Sequence, residues 1–331
     1  MVTKDVVGID VSKLENEARI HSSQEVLTFE NNKKGFKKLI GWVFNKSKVD
    51  IKQILFAFEH TGLYSFPLSL FLSENNYSYV LLPGLELKRS MGITRGKDDK
   101  IDAKRIAKYT YEKREDIKPF EMPNKEVIQI KRLLTLRERL VKQHAGYKAS
   151  LGEYKRFLIK KHNVVLFDAQ ENIIKSLSKQ IVRVEKELHK IIWGNDSLKK
   201  MYNLIVSIKG VGPQTALFLI AYTNGFTRFS TWRKFASYCG IAPFPYRSGT
   251  SIRGRTKVSN LANKKIKSLL DLCAKSSIQF NMEMKIYYTR RIEEGKSKMG
   301  TVNAIRNKIL SRIFAVVQRG TPYVNTLCYA A

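Results

Sequence analysis

The sequence predicts an α/β domain followed by a mostly helical remainder. Three observations carry that prediction. Roughly the first 110 residues alternate short β-rich apolar runs with segments of helical spacing. Residues 124 to 193 turn charged, helical and glycine-poor. From Ser197 to Leu270 there is no Asp or Glu, against 13 Lys and Arg. Domain boundaries are therefore expected at 1–120, 121–196 and 197–331.

The elements follow in chain order. "DVVGIDVS" is a short β-rich run, and "EVLTFEN" a second strand. "KGFKKLIGWVFNK" places Phe36, Leu39, Ile40 and Val43 at helical spacing. "IKQILFAFEH" is a buried strand ending in a charge. "FPLSLFLSENN" predicts a helix and "YSYVLLP" a strand. From about Asp98, "DDKIDAKRIAKYTYEK" predicts a helix with Ile101, Ala103, Ile106 and Tyr109 available for packing. In the middle segment, Leu133, Leu136, Leu140, Tyr147 and Tyr154 keep a near-heptad rhythm. Leu177, Ile181, Val184, Leu188 and Ile191 do the same. An antiparallel hairpin or coiled coil fits this pattern, and so do ordinary amphipathic helices of a bundle. "KKHNVVLFD" is expected to turn between them.

Charge narrows the function. With 60 Lys and Arg against 29 Asp and Glu, the formal net charge is +31. Such an excess calls for a polyanionic partner, nucleic acid first and an acidic membrane surface second. No apolar run approaches the ~20 residues of a membrane span. "MVTKDVVGID" is not a signal peptide, so a cytoplasmic, nucleoid-associated protein is expected. The cysteines, Cys239, Cys273 and Cys328, are too scattered for a disulfide framework or a zinc pattern.

Two motifs lie in or beside these elements. "SIKGVGPQTALFLIAY" fits a helix-hairpin-helix: Ile208 closes one helix, Gly210-Val211-Gly212 turns, and Pro213 starts the next. Gly210 and Gly212 would let backbone N–H groups approach a phosphate; a plain glycine-rich connection is the alternative. In the first domain, Asp10 and Glu59 each end an apolar strand, and Asp99 and Asp102 share a face of the last helix. Singly, each acid is more ordinarily a solvated or capping residue. Together they form the RNase-H-like arrangement that binds divalent metal. Hard Mg²⁺ takes carboxylate oxygens, and one ion or two can serve phosphodiester chemistry. Asp98 fits least well and suits a helix cap.

At this point the chain resembles a known family. "GIDVSK", "FEHTG", "KDDKIDAKRIA", "IKGVGPQTA" and "YCGIAPFPYRSGTSIRGRTK" look like the DEDD transposases of the insertion-sequence one-hundred-and-ten type. The resemblance spans most of the chain. It implies a RuvC-like N-terminal domain whose metal-binding tetrad falls on Asp10, Glu59, Asp99 and Asp102, with Mg²⁺ as cofactor. It implies a nucleophilic serine at Ser248, donor and target DNA as substrates, and a structured bridge RNA that chooses them. Recombination needs several active sites, so a homo-oligomer, dimer or tetramer, is expected, assembled through the helical middle.

The residues around Ser248 bear on this. A serine hydroxyl is a weak nucleophile that needs a base, a metal or positive charge. No local carboxylate is at hand, so activation is expected from the first domain's metal site. Arg247, Arg253, Arg255 and Lys257 could hold the scissile phosphate. A Ser-Gly turn in a basic loop is the plainer reading, and Ser251 and Ser259 are neighbouring competitors. Two rival functions remain: a RuvC-like junction nuclease using water, and a non-catalytic nucleic-acid-binding protein.

Overall fold

The computed structural model describes residues 3–90, 99–249 and 252–324. The chain forms two compact units, residues 1–122 and 123–331.

The first unit is built on one five-stranded sheet. In chain order its elements are β1 (Asp5–Val11), β2 (Glu15–Ile20), β3 (Val26–Glu30), α1 (Lys33–Lys46), β4 (Ile54–Glu59), α2 (Phe66–Glu74), β5 (Tyr79–Leu82), α3 (Gly84–Ser90) and α4 (Asp99–Glu112). The strand order is β3-β2-β1-β4-β5. β1, β2 and β3 pair antiparallel, while β1, β4 and β5 run parallel. This mixed α/β topology is compatible with the RNase-H-like arrangement.

Alternation along the strands makes two cores. Val7, Ile9, Phe56 and Phe58 face one side and pack with Phe36 and Leu39 of α1 and Leu68 and Leu72 of α2. Val6, Leu55, Ala57, Val80 and Leu82 face the other and pack with Ile106 and Tyr109 of α4. β1 and β4 are buried on both faces, which is why they read as continuous apolar runs. β2, "ENEARI", gave no strand signal because only one of its faces is apolar. Ala18 and Ile20 join a core while Glu15, Glu17 and Arg19 point the other way. α3 was also missed: at seven residues it is too short for periodicity to show.

Gly8 explains how closely α4 lies on the sheet. A Cβ there would stand 2.8 Å from the Cα of Ala107, and closer still to the Ala107 amide and the Ala103 carbonyl. Only glycine admits this approach. Gly8→Val is expected to lower stability by about 3 kcal/mol. A urea-unfolding midpoint unchanged from wild type would show that α4 is not seated there.

The second unit begins with two long helices, α5 (Lys125–Phe157) and α6 (Val164–Trp193). They form an antiparallel hairpin, with Arg137 paired to Glu185 and Lys155 to Glu171. Then come α7 (Asp196–Val206), α8 (Pro213–Tyr222), α9 (Trp232–Tyr238), β6 (Pro243–Ser248), β7 (Ile252–Val258), α10 (Lys264–Phe280), α11 (Met282–Glu293) and α12 (Lys298–Arg319). α8 is apolar all round and central, with Thr215 through Ala221 buried.

The base of the α5–α6 hairpin shares this core. Val127, Ile130 and Leu134 of α5, and Val184, Leu188 and Ile192 of α6, cluster with α8, α10 and α12. Of the heptad positions expected on α5, Leu133 and Leu140 pack against this core, while Leu136 and Tyr147 are exposed. Packing against a third layer, rather than a two-helix seam, selects the buried stripe. The basic loop expected around Ser248 is instead an antiparallel two-stranded hairpin, β6–β7.

Candidate active site and nucleic-acid interface

Sheet register brings Asp10 and Glu59 together. β1 and β4 run parallel with Ile9 opposite Phe58. Asp10 and Glu59 are the next residues on each strand, so they sit side by side, one strand spacing of about 4.8 Å apart. Alternation puts both on the α4 side of the sheet, with Val6, Ala57 and Leu55. Carboxylates on adjacent strands carry like charges that disfavour close approach. A cation among them would offset that cost.

The path of α4 brings its first turn toward the same end. Tyr111, near the helix C-terminus, stacks on His21, which itself bonds the Val6 carbonyl. Ala103 and Ala107 meet Gly8. The helix thus runs antiparallel to β1, and its N-terminal residues Asp99 and Asp102 lie toward the Asp10 end. Asp102 is half-buried and accepts from Arg105 at 3.1 Å. The Asp99 side chain and all of Asp98 lie outside the described residues. Among the described residues, no three His, Cys, Asp or Glu side chains are gathered closely enough to hold an ion.

The pair nevertheless suits a hard cation. Its donors are carboxylate oxygens, as Mg²⁺ or a similar ion prefers. Gly84, at the start of α3, leaves space for Glu59: a Cβ there would fall 2.7 Å from the Glu59 carboxyl carbon. Glu17 was missed from the sequence. It stands opposite Asp10 on β2, so a row Glu17–Asp10–Glu59 crosses three strands on one face. Only the β1–β2 register exposes that row, and the sequence of β2 gives no strand signal that would reveal it. His60 is exposed and its Nδ1 accepts from the Gly62 amide at 3.3 Å, a loop contact.

In the second unit the two glycines of the turn differ. Gly210 has φ +96°, and a Cβ on it would approach the Ser277 amide of α10 to 2.8 Å. Its freedom serves the turn and close packing. Gly212 caps the N-terminus of α8 and has open space where a Cβ would stand. Pro213 starts α8, and the preceding helix ends at Val206, two residues before Ile208. The thiols of Cys239 and Cys273 are pushed up by burial, which removes them as nucleophiles. Cys328 lies outside the described residues. Tyr287, Tyr288 and Tyr323 pack against the core, and Tyr323 donates to Glu283 at 2.9 Å.

On the β6–β7 hairpin, Ser248 pairs with Ile252 and Arg247 with Arg253. Arg247 and Lys257 are exposed. The side chains of Ser248, Arg253 and Arg255 are outside the described set, as is Ser251. Ser259 accepts from the Leu261 amide at 3.1 Å. The first acid after the long basic run, Asp271, is spent on Arg306 and Lys275. It does little to offset the charge of the exposed cations.

Comparison with known proteins decides the family. Residues 7–153 match the family described as "Transposase" of the DEDD IS110 kind, and residues 202–289 match "Transposase IS116/IS110/IS902 family". The chain belongs to the IS110-type transposases. It is a DNA transposase/recombinase enzyme. The pilin gene-inverting proteins of Moraxella bovis and Moraxella lacunata are each 25% identical to it, over 97% of this chain and 98% of theirs. An "Insertion element IS110 uncharacterized 43.6 kDa protein" of Streptomyces coelicolor is 27% identical over 46% of this chain and 38% of its own length. The two matched regions take in Asp10, Glu59 and the α4 acids in one, and the glycine turn and the β6–β7 hairpin in the other. Among the described residues, no helix of this transposase is long and apolar enough to cross a membrane.

Proposed function

We propose that this transposase breaks and rejoins DNA strands through Ser248, aided by divalent metal at Asp10, Glu59, Asp99 and Asp102. A structured guide RNA chooses donor and target. The observation that carries the reading is the Asp10–Glu59 pair, in register on one sheet face with α4 running toward it. A bound Mg²⁺ would supply charge stabilisation on the phosphate oxygens. Asp10 and Glu59 would orient it, and Arg247, Arg253, Arg255 and Lys257 would hold phosphate. In the covalent step the Ser248 Oγ–P bond forms as the phosphodiester's P–O bond breaks. The serine gives up its proton and the leaving strand oxygen takes one. The bond energy stays in the protein–DNA link for rejoining.

Relatives named as pilin gene-inverting proteins support inversion of a DNA segment as the outcome. The α7–α8 turn supports a helix-hairpin-helix in which the Gly212 end of α8 meets phosphate. Apolar residues at the hairpin tip, Phe157 (83% exposed) and Val165 with it, support assembly of the dimer or tetramer through α5–α6. The water-using nuclease is the second reading, since the carboxylate pair alone would serve it.

Two measurements test this. Recombination of a plasmid carrying two element ends should stop on chelation of divalent metal and return when Mg²⁺ is restored; activity in chelator would remove the metal. DNA affinity should fall steeply with salt, and Lys257→Ala should flatten the log–log slope by about 1. A flat wild-type slope would remove the basic face as the DNA surface.

A further inference from the structure

The β6–β7 hairpin carries more than charge. Phe244 and Tyr246 are 47% and 66% exposed on β6, in a stretch without acids. With Pro245, Gly254, Lys257 and Leu261 they help line a cavity of about 590 Å³. That volume lies in the range that takes a compact organic ligand. Single exposed aromatics are ordinary. Two of them beside a lysine, around one cavity, are the components of a base-stacking platform.

Tyr246 is held in place by its cross-strand partner. It pairs with Gly254, where a Cβ would come within 2.8 Å of the tyrosine Cδ1 and 3.3 Å of its Cβ. Glycine thus lets the tyrosine pack against the neighbouring strand. Shielding the Gly254 backbone would account for that contact. It does not account for the exposed remainder of the ring, for Phe244 beside the same cavity, or for Lys257. A bulge separates Phe244 from Tyr246, which re-aims side chains along a strand. Ser248 follows two residues after Tyr246, about 7 Å along the strand.

We propose that Phe244 and Tyr246 form a seat for an unpaired DNA nucleobase next to the phosphate at Ser248. The seat rests on the reading of Ser248 as the residue at the scissile phosphate. A strand that is broken and re-paired must release its bases from the duplex, and an aromatic seat receives one at the cut. Stacking accepts any base, because every base has a π-face. Sequence choice is left to other contacts, and Lys257 supplies charge for the adjoining phosphate.

The test uses the full-length protein carrying Ser248→Ala, so that no chemistry intervenes. The probe is a six-nucleotide DNA with a central 2-aminopurine, whose fluorescence falls on stacking. Wild-type tyrosine should quench it. Tyr246→Ala should lose the quench and weaken binding roughly 5- to 150-fold, with the salt slope unchanged. Tyr246→Trp should restore both. Gly254→Ala, whose methyl displaces the ring, should act in the direction of Tyr246→Ala. Equal quenching and affinity in Tyr246→Ala would overturn the proposal. So would quenching of the matching RNA oligomer but not the DNA. Failure of the serine reading is seen separately: protein with Ser248 restored would form no covalent adduct while stacking persists. Loss of stacking with the adduct intact would overturn only the seat.

Discussion

Asp10→Asn should bring strand cleavage and recombination down by on the order of 10³-fold. The carboxylate pair it breaks is meant to hold a cation whose charge stabilisation is several kcal/mol, and each 1.36 kcal/mol is a factor of ten in rate. Asparagine keeps the volume and the β1 backbone bonds, so β1, β4 and α4 should stay in place. The like-charge repulsion with Glu59 and Glu17 disappears. The metal-free thermal midpoint should therefore hold or rise slightly, while DNA affinity stays within about 3-fold of wild type. Glu59→Gln should behave the same way, since it occupies the same register one strand over. Cleavage assays on a labelled element end, with thermal melts alongside, check all of this. An Asp10→Asn protein that melts normally and still recombines at the wild-type rate would remove the pair from the chemistry. A protein that melts far earlier would instead make Asp10 a structural residue.

Ser248→Ala should abolish the recombinant product and the covalent protein–DNA adduct while leaving binding and assembly intact. A nicked substrate should trap the wild-type adduct, because its leaving strand can diffuse away before rejoining. Peptide mapping should then place the link at Ser248 and not at Ser251 or Ser259. The Ser259 hydroxyl is already occupied as an acceptor from the Leu261 amide. The exposed cations Arg247 and Lys257 can hold a phosphate here, yet no acid lies between Ser197 and Leu270 to take the serine's proton. On the proposed reading the metal acids of the first unit serve the serine step, so Asp10→Asn should also suppress the adduct. If Ser248→Ala recombines normally, water is the nucleophile and the nuclease reading takes over.

Much of the first unit was legible because its central strands are extreme. β1 and β4 are apolar on both faces, so "DVVGID" and "ILFAFE" announce themselves, and so does the acid at the end of each. β2 was not legible, because it is buried on one side only and its other side carries Glu15, Glu17 and Arg19. Missing β2 meant missing Glu17 as a neighbour of Asp10. In the second unit, the long helices and the Pro213 start of α8 were legible from composition and spacing. The β6–β7 hairpin was not: "PFPYRS" and "IRGRTKV" lack apolar alternation, and among the described residues of the two strands no side chain is buried.

What the sequence by itself determined was local and chemical. It set the order of strands and helices through residue 83 except β2, the acids at two strand ends, the turn at Gly210 and the excess of positive charge. Those follow from periodicity, glycine and proline chemistry, and counting, which need no knowledge of neighbours. Tertiary structure alone decided which residues became neighbours. Register across parallel strands put Asp10 beside Glu59, though 49 positions separate them. The missing side chain of Gly8 let α4 settle on β1 with its acidic end toward that pair. Three-layer packing chose Ile130 and Leu134 over Leu136 as the buried face of α5. Each of these depends on a contact between segments far apart in the chain, and a one-residue slip in any pairing would turn the side chains to the opposite face.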